Sequence, residues 1–136
     1  MHIKRHPCFF QAWGCDCSVR FSQLSDEACS FAIQKGIQIS RSDIFWFKHN
    51  DMQDLENVLA RVGLQRKKQK KPLARQFIVV EGVYANVGDI CPLHDLLALK
   101  LKYKYRLIVD ESHSFGVLGK RGAGICDHFD VKVTFS

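Results

Sequence analysis

Two short apolar runs, each closed by an acidic residue, constrain the fold of this chain more than any other feature. Gln76–Glu81 and Arg106–Asp110 are continuous in apolar, mostly β-branched residues, which is typical of strands buried on both faces of a parallel sheet. Between them, Leu93–Tyr103 carries apolar residues at helical spacing. This succession predicts a right-handed βαβ unit. The predicted fold class is therefore α/β, a mainly parallel sheet with flanking helices.

The carboxyl ends of these two strands form the first candidate binding site. In an open parallel sheet, ligands bind at the carboxyl ends of the strands, where Glu81 and Asp110 lie. A partly desolvated aspartate needs a cation or a set of donors. The partner of Asp110 is therefore a metal ion, a protonated ring nitrogen, or a structural arginine or backbone group. His113 follows at the same strand end and is a second candidate.

The preceding part of the chain predicts three further elements. A helix is expected after Asp26, with a glycine at position 36 near its end, and a short strand over Asp43–Lys48. Apolar residues at helical spacing from Met52 predict a helix that ends near Gly63. Residues 64–74 are interpreted as a basic surface loop. Residues 1–24 follow neither period and receive no secondary-structure assignment.

Composition excludes several classes of protein. The chain has 136 residues and a net charge of +6, but seven basic residues and no acid fall within 61–75 and the remainder is close to neutral. A generally basic nucleic-acid-binding protein is therefore not indicated. No apolar run is long enough to span a membrane, and the first residues do not form a secretory signal. The six cysteines are expected to be reduced thiols, and Cys15 and Cys17 fit no zinc-finger spacing.

The glycine-rich stretch after Asp110 does not match a nucleotide-binding loop. Residues 116–122 lack both the Gly-Lys-Ser/Thr ending of a phosphate loop and the dinucleotide-binding spacing. The tetrad that runs from Asp110 to His113 resembles a helicase ATPase motif, but no phosphate loop occurs upstream. Ser112 and Ser114 flank His113 without the strand-to-helix elbow of a serine hydrolase. The glycines are therefore expected to permit tight turns.

Four blocks of sequence resemble a known family, in the family's order. The segment from Val109 to Gly119, followed by residues 121–125, resembles a hallmark of the α-oxoamine synthases, which are fold-type I pyridoxal phosphate enzymes. Phe77–Tyr84, with residues 88–93 after it, resembles a second block, and Phe47–Met52 a third. The fourth, Cys29–Ile44, resembles the first-subunit branch of the serine palmitoyltransferases. The resemblance implies part of the large domain of an aspartate aminotransferase type I fold.

The family implies pyridoxal 5'-phosphate as the cofactor and assigns residues to it. Asp110 matches the aspartate that pairs with the pyridine nitrogen, His113 matches a histidine near the phenolic oxygen, and Glu81 matches a strand-end glutamate near the site. Catalytic members carry an Asn-His pair whose histidine stacks on the ring, whereas this chain has Cys29 and Ser30. The family's Schiff-base lysine is expected a few tens of residues after His113, so no catalytic residue is assigned to this chain and it alone is not expected to catalyse the reaction.

The branch also implies partners and a location. A serine palmitoyltransferase condenses L-serine with palmitoyl-CoA to 3-ketosphinganine in sphingolipid biosynthesis. The first subunit is the supporting member of a heterodimer with a catalytic subunit, on the cytosolic face of the endoplasmic reticulum membrane. Membrane association is expected through parts outside this chain, and neither a nucleic-acid partner nor a metal is expected.

The resemblance also sets expected domain limits. Residues 25–129 are expected to form part of the transferase large domain and 130–136 a truncated tail. Residues 1–24 are expected to be either disordered or foreign to the domain. Two alternatives stay open. One is a catalytic α-oxoamine synthase cut off before its lysine, and the other is a non-enzymatic α/β binding fragment.

Overall fold

The structure is a computed structural model, and we describe residues 2–4, 22–40, 42–69 and 75–132. These residues form five strands and four helices. In chain order the elements are β1 (His2–Lys4), β2 (Ser22–Asp26), α1 (Phe31–Ile39), β3 (Asp43–Phe47), α2 (Met52–Gln69), β4 (Gln76–Glu81), α3 (Leu93–Tyr103), β5 (Arg106–Asp110) and α4 (Ile125–His128).

All strand pairs in the sheet are parallel, and the strand order is β1-β5-β4-β2-β3. The predicted α/β class with a parallel sheet and flanking helices is therefore confirmed. Helices α2 and α3 pack together on one face, where Lys102 and Tyr103 both contact Glu56. Because α1 connects its strands in the opposite direction along the sheet, a right-handed crossover puts it on the other face.

The core lies between the sheet and these helices. Strand β4 supplies four consecutive buried apolar residues, Phe77 to Val80, as expected for a strand covered on both faces. The helices contribute apolar positions at spacings of three and four residues. The largest of them are Ile37 in α1, Leu55 and Leu59 in α2, and Leu93 and Leu96 in α3.

Strand β2 was not predicted, although it lies between β3 and β4 in the sheet. Its sequence is polar apart from Leu24, yet all five of its residues are buried. Polar partners compensate this burial, since the Gln23 side chain donates to Ser40 Oγ at 3.2 Å and to Ser42 Oγ at 3.1 Å. A hydrophobic pattern cannot reveal a strand of this kind.

Two helix boundaries also differ from the sequence expectation. Helix α1 begins at Phe31, because Asp26 ends β2 and its carboxylate accepts the backbone N–H of Ala28 in a turn. Helix α2 continues through Gly63 to Gln69, so the basic loop predicted from residue 64 is wrong for its first six residues. Basic residues are favourable in the last turns of a helix, where they face the negative end of the helix dipole.

No helix in the described ranges is both long and apolar enough to cross a membrane. Cys8, Cys15 and Cys17 lie outside the described residues, whereas Cys29, Cys91 and Cys126 are buried thiols.

Burial of Leu24 in the unpredicted strand gives a direct test of the sheet. We expect Leu24→Ala to lower the free energy of unfolding by about 3 kcal/mol, because the side chain is fully buried and leaves a cavity. Leu101→Ala is the matched control, since Leu101 is 71% exposed and the change should stay within about 0.5 kcal/mol. Urea unfolding followed by circular dichroism measures both. Equal effects would contradict the placement of β2.

Candidate functional site

The carboxyl edge of the sheet gathers three strand-end carboxylates. Asp26 ends β2, Glu81 ends β4 and Asp110 ends β5. Glu81 and Asp110 are register neighbours on adjacent strands, and Lys4 of β1 is the register neighbour of Asp110 on its other side. The strands therefore bring together two of the predicted site residues, Glu81 and Asp110.

Asp110 presents one carboxylate oxygen that is not used by the protein around it. Its Oδ1 accepts the backbone N–H of Ser112 at 2.9 Å and the Ser112 hydroxyl at 2.5 Å. Within the described ranges, Oδ2 has no hydrogen-bond partner, and the side chain is half-buried. This is a carboxylate held in one orientation by its own turn, with one oxygen available to a cationic group.

His113 lies in the turn that follows β5 and is exposed. In the described part of the chain, its ring makes no hydrogen bond or ion pair with Asp110 or Glu81, so the structure does not join His113 to the other two predicted residues. The glycine loop folds back on itself beyond His113, where the Gly116 N–H donates to the Gly122 carbonyl at 2.8 Å. Gly116 has φ 84°, which favours glycine.

Glu81 is committed to the backbone of two neighbouring segments. Its Oε1 accepts the N–H of Ser30 at 2.6 Å, and its Oε2 accepts the N–H of Ala85 at 3.1 Å. The side chain is buried, with 3% of its surface exposed. Glu81 therefore ties the start of α1 and the loop over residues 82–92 to the end of β4. Its negative charge is also favourable at a helix N-terminus.

Asp26 is the centre of a cluster that the sequence analysis missed. The carboxylate is completely buried and has two protein donors on each oxygen. Oδ1 accepts from Ala28 N–H at 2.8 Å and faces His49 Nδ1 at 3.0 Å, while Oδ2 accepts from Asn50 N–H and the Tyr84 hydroxyl, both at 3.0 Å. A buried carboxylate with four partners joins β2 to the segments after β3 and β4.

His49 extends this cluster to the surface. Its Nε2 lies 3.1 Å from Asp89 Oδ2, and its ring packs edge-on against Tyr84 with centroids 4.5 Å apart. Burial by itself lowers the pKa of His49, but the hydrogen bonds and charges of Asp26 and then Asp89 outweigh it, so the pKa is raised. The sequence signal was present, since His49 and Asp89 both fall inside blocks that carry the family resemblance.

Glu111 is another buried carboxylate, to which the sequence assigned no role of its own in the site. It is 2% exposed, and its Oε2 accepts from the Ser114 hydroxyl and from the N–H of Ile125 at 3.0 Å. A Cβ at Gly124, whose φ is 92°, would clash with this carboxylate. Glu111 therefore anchors both ends of the glycine loop, and Gly124 is required for the close approach.

The residues at the start of α1 determine how well the site suits a pyridine ring. Cys29 is fully buried, with its Sγ directed at the Val79 carbonyl 3.9 Å away, and burial raises the pKa of its thiol to about 12. The N–H of Ser30 is bound to Glu81. Neither residue supplies a stacking ring. The available carboxylate oxygen of Asp110 can accept a hydrogen bond from a protonated ring nitrogen. The residues present therefore fit a pyridine ring at its nitrogen atom.

A parallel α/β sheet with an aspartate presented at its carboxyl edge is the large-domain arrangement expected for a pyridoxal phosphate enzyme. Residues 24–134 match the family described as aminotransferase class I and II, and the chain belongs to that family. Pyridoxal phosphate is the cofactor of the family.

Similarity to individual proteins places the chain more narrowly within this family and confirms the resemblance inferred from the sequence. Long chain base biosynthesis protein 1c of Oryza sativa subsp. japonica is 46% identical over 110 residues, which are 81% of this chain and 22% of the relative. Serine palmitoyltransferase 1 of Saccharomyces cerevisiae is 46% identical over 109 residues, 79% of this chain and 20% of the relative. A solved structure of SPT with PLP superimposes with a TM-score of 0.68 at 31% identity, over 80% of this chain and 25% of that one. The chain thus spans about a fifth of the length of these curated relatives.

The raised pKa of His49 predicts a pH-dependent contribution to stability. Relative to His49→Gln, the wild-type chain should gain about 1 kcal/mol of unfolding free energy from the imidazolium between Asp26 and Asp89. The gain is complete below about pH 6.5, the ordinary histidine value, and is lost as the pH rises through the raised pKa of the folded state.

Urea unfolding of both proteins between about pH 5.5 and 9 measures this difference. His113→Gln is the control for the replacement of a histidine itself, since His113 is exposed. A gap between wild type and His49→Gln that grows with pH would contradict the account.

Proposed function

We propose that this chain is part of a subunit of serine C-palmitoyltransferase, which condenses L-serine with palmitoyl-CoA to 3-ketosphinganine in sphingolipid biosynthesis. The observation that carries the proposal is the similarity to serine palmitoyltransferase 1 and long chain base biosynthesis proteins over about four fifths of this chain. The chain matches only about a fifth of each relative, so the activity is proposed for the whole protein.

Asp110 and His113 are the proposed cofactor-binding residues, with Glu81 in a supporting position. Pyridoxal phosphate, when bound, supplies a protonated ring that accepts electrons from the α-carbon of an amino acid. The Asp110 carboxylate would hold the proton on the ring nitrogen, since its Oδ1 is fixed by Ser112 and its Oδ2 is available. His113 would face the phenolic oxygen, and Glu81 fixes the start of α1 beside them.

The role proposed for this subunit is to support a catalytic partner. Cys29 and Ser30 stand where catalytic members of the family carry the pair that includes the stacking histidine, and both are tied into the sheet by their own contacts. The partner is then the lysine-bearing serine palmitoyltransferase subunit in a heterodimer, at the cytosolic face of the endoplasmic reticulum membrane. In this role the carboxyl edge contributes to the architecture of the complex.

One observation favours a second candidate, a catalytic α-oxoamine synthase. Asp110 keeps the orientation and the available oxygen that a working ring-nitrogen contact requires. The two candidates differ in whether Asp110 takes part in the reaction, and a substitution at that position separates them.

The test is made on the whole protein at its own locus. Disruption of the locus should abolish incorporation of labelled serine into long-chain bases, and restoring the wild-type gene should recover it. Asp110→Asn in the restored gene should retain at least about half of the incorporation if the subunit is supporting, because the partner's site does the chemistry. A catalytic subunit should instead lose on the order of 100-fold.

Asp43→Asn is the control for Asp110→Asn, since Asp43 is exposed at the opposite edge of the sheet. Unchanged long-chain base synthesis after disruption would contradict the proposed function in both of its forms.

A further inference from the structure

Charged residues of the described part of the chain are distributed unevenly between the two edges of the sheet. Helices α2 and α3 connect parallel strands, so both begin at the carboxyl edge and end at the amino edge. Most acidic residues lie in the strand ends, the loops after them and the first turns of these helices, whereas Asp43 at the start of β3 and Glu56 in the second turn of α2 lie elsewhere. Basic residues occur at both edges, but a group of them lies toward the amino edge.

Six exposed basic residues form what we call the basic edge. They lie in the second half of α2, just before or at the start of β4 and β5, and just after α3. None of them takes part in the ion pairs found within the described ranges. The basic edge consists of Arg61, Lys67, Lys68, Arg75, Lys104 and Arg106.

Exposed leucines are interspersed with these charges. Leu64 is 61% exposed and shares one face of α2 with Arg61 and Lys68, at spacings of three and four residues. Leu101 is 71% exposed in the last turn of α3, three residues before Lys104. Neither a solvated helix end nor a favourable helix dipole requires a large apolar side chain in solvent, so charge at the helix termini does not account for both features.

Two buried donors lie behind this surface without partners. In the described part of the chain, Arg66 Nη1 and the Tyr105 hydroxyl are both buried and make no hydrogen bond. Burial raises the pKa of the Tyr105 hydroxyl, and the charge of Arg66 opposes that rise. Buried donors are normally satisfied by a hydrogen bond, so these two groups are exceptions among the described residues.

We propose that the basic edge, with Leu64 and Leu101, docks on the surface of a bilayer that contains anionic phospholipid. Lipid phosphates match the six cations, and the acyl–headgroup boundary accepts the two leucines. A nucleic acid matches the cations but offers no apolar layer for both leucines. The proposal is independent of the proposed enzyme function, since it requires neither cofactor nor partner subunit.

The test is co-sedimentation of the 136-residue chain with phosphatidylcholine vesicles, with or without about 30% phosphatidylserine, at roughly 0.1 M salt. We expect at least about tenfold stronger partitioning onto the phosphatidylserine vesicles, which weakens as salt is raised. Because each basic residue contributes about fivefold at such a surface, Lys67→Glu/Lys68→Glu should weaken partitioning about 25-fold or more. Leu64→Ser/Leu101→Ser should weaken it about tenfold at unchanged net charge.

Lys120→Glu/Lys132→Glu is the matched control, since it makes the same change in net charge with exposed residues away from the basic edge. It should retain wild-type partitioning within about twofold. All variants are compared by circular dichroism, so that a loss of fold is recognised.

Four results would overturn the proposal. These are no binding to phosphatidylserine vesicles, equal binding to both vesicle types, an equal loss in the control variant, or full binding by the leucine variant. If the chain does not bind vesicles but binds polyglutamate or single-stranded RNA, the basic edge is a binding site for that ligand instead.

Discussion

The buried carboxylate of Asp26 is the interaction on which the carboxyl edge depends. It accepts hydrogen bonds from the turn after β2, from the segment after β3 and from Tyr84 in the loop after β4. Three connections that share no sequence are thereby fixed to one residue. The cost of burying a charge is offset only while all these partners stay in place, so the cluster forms with the sheet as a unit.

The other carboxylates of this edge either hold the protein backbone in place or are available to a ligand. Glu81 and Glu111 are buried and bind backbone N–H groups at the starts of α1 and α4 respectively. Asp110 is held by a short turn and keeps one oxygen for a cationic partner. A ligand that approaches this edge therefore meets a positioned aspartate on a rigid frame, which is the form a cofactor pocket takes in this fold.

The sequence predicted the parts of the fold that rest on continuous apolar strands and missed those that rest on polar contacts. Gln76–Glu81 and Arg106–Asp110 were found within their observed limits, because burial on both faces leaves an unmistakable apolar run. Strand β2 was missed because Asp26 and Gln23 are satisfied by partners far along the chain. The same reason hid the role of His49, since only the fold brings it to Asp26.

Replacement of the Asp26 carboxylate tests this account most directly. Asp26→Asn removes the charge and places an amide donor against donors, so the free energy of unfolding in urea should fall by more than about 3 kcal/mol. Asp43→Asn, at an exposed position in the same sheet, should change it by less than about 0.5 kcal/mol. Similar small losses for both variants would contradict the central role of Asp26.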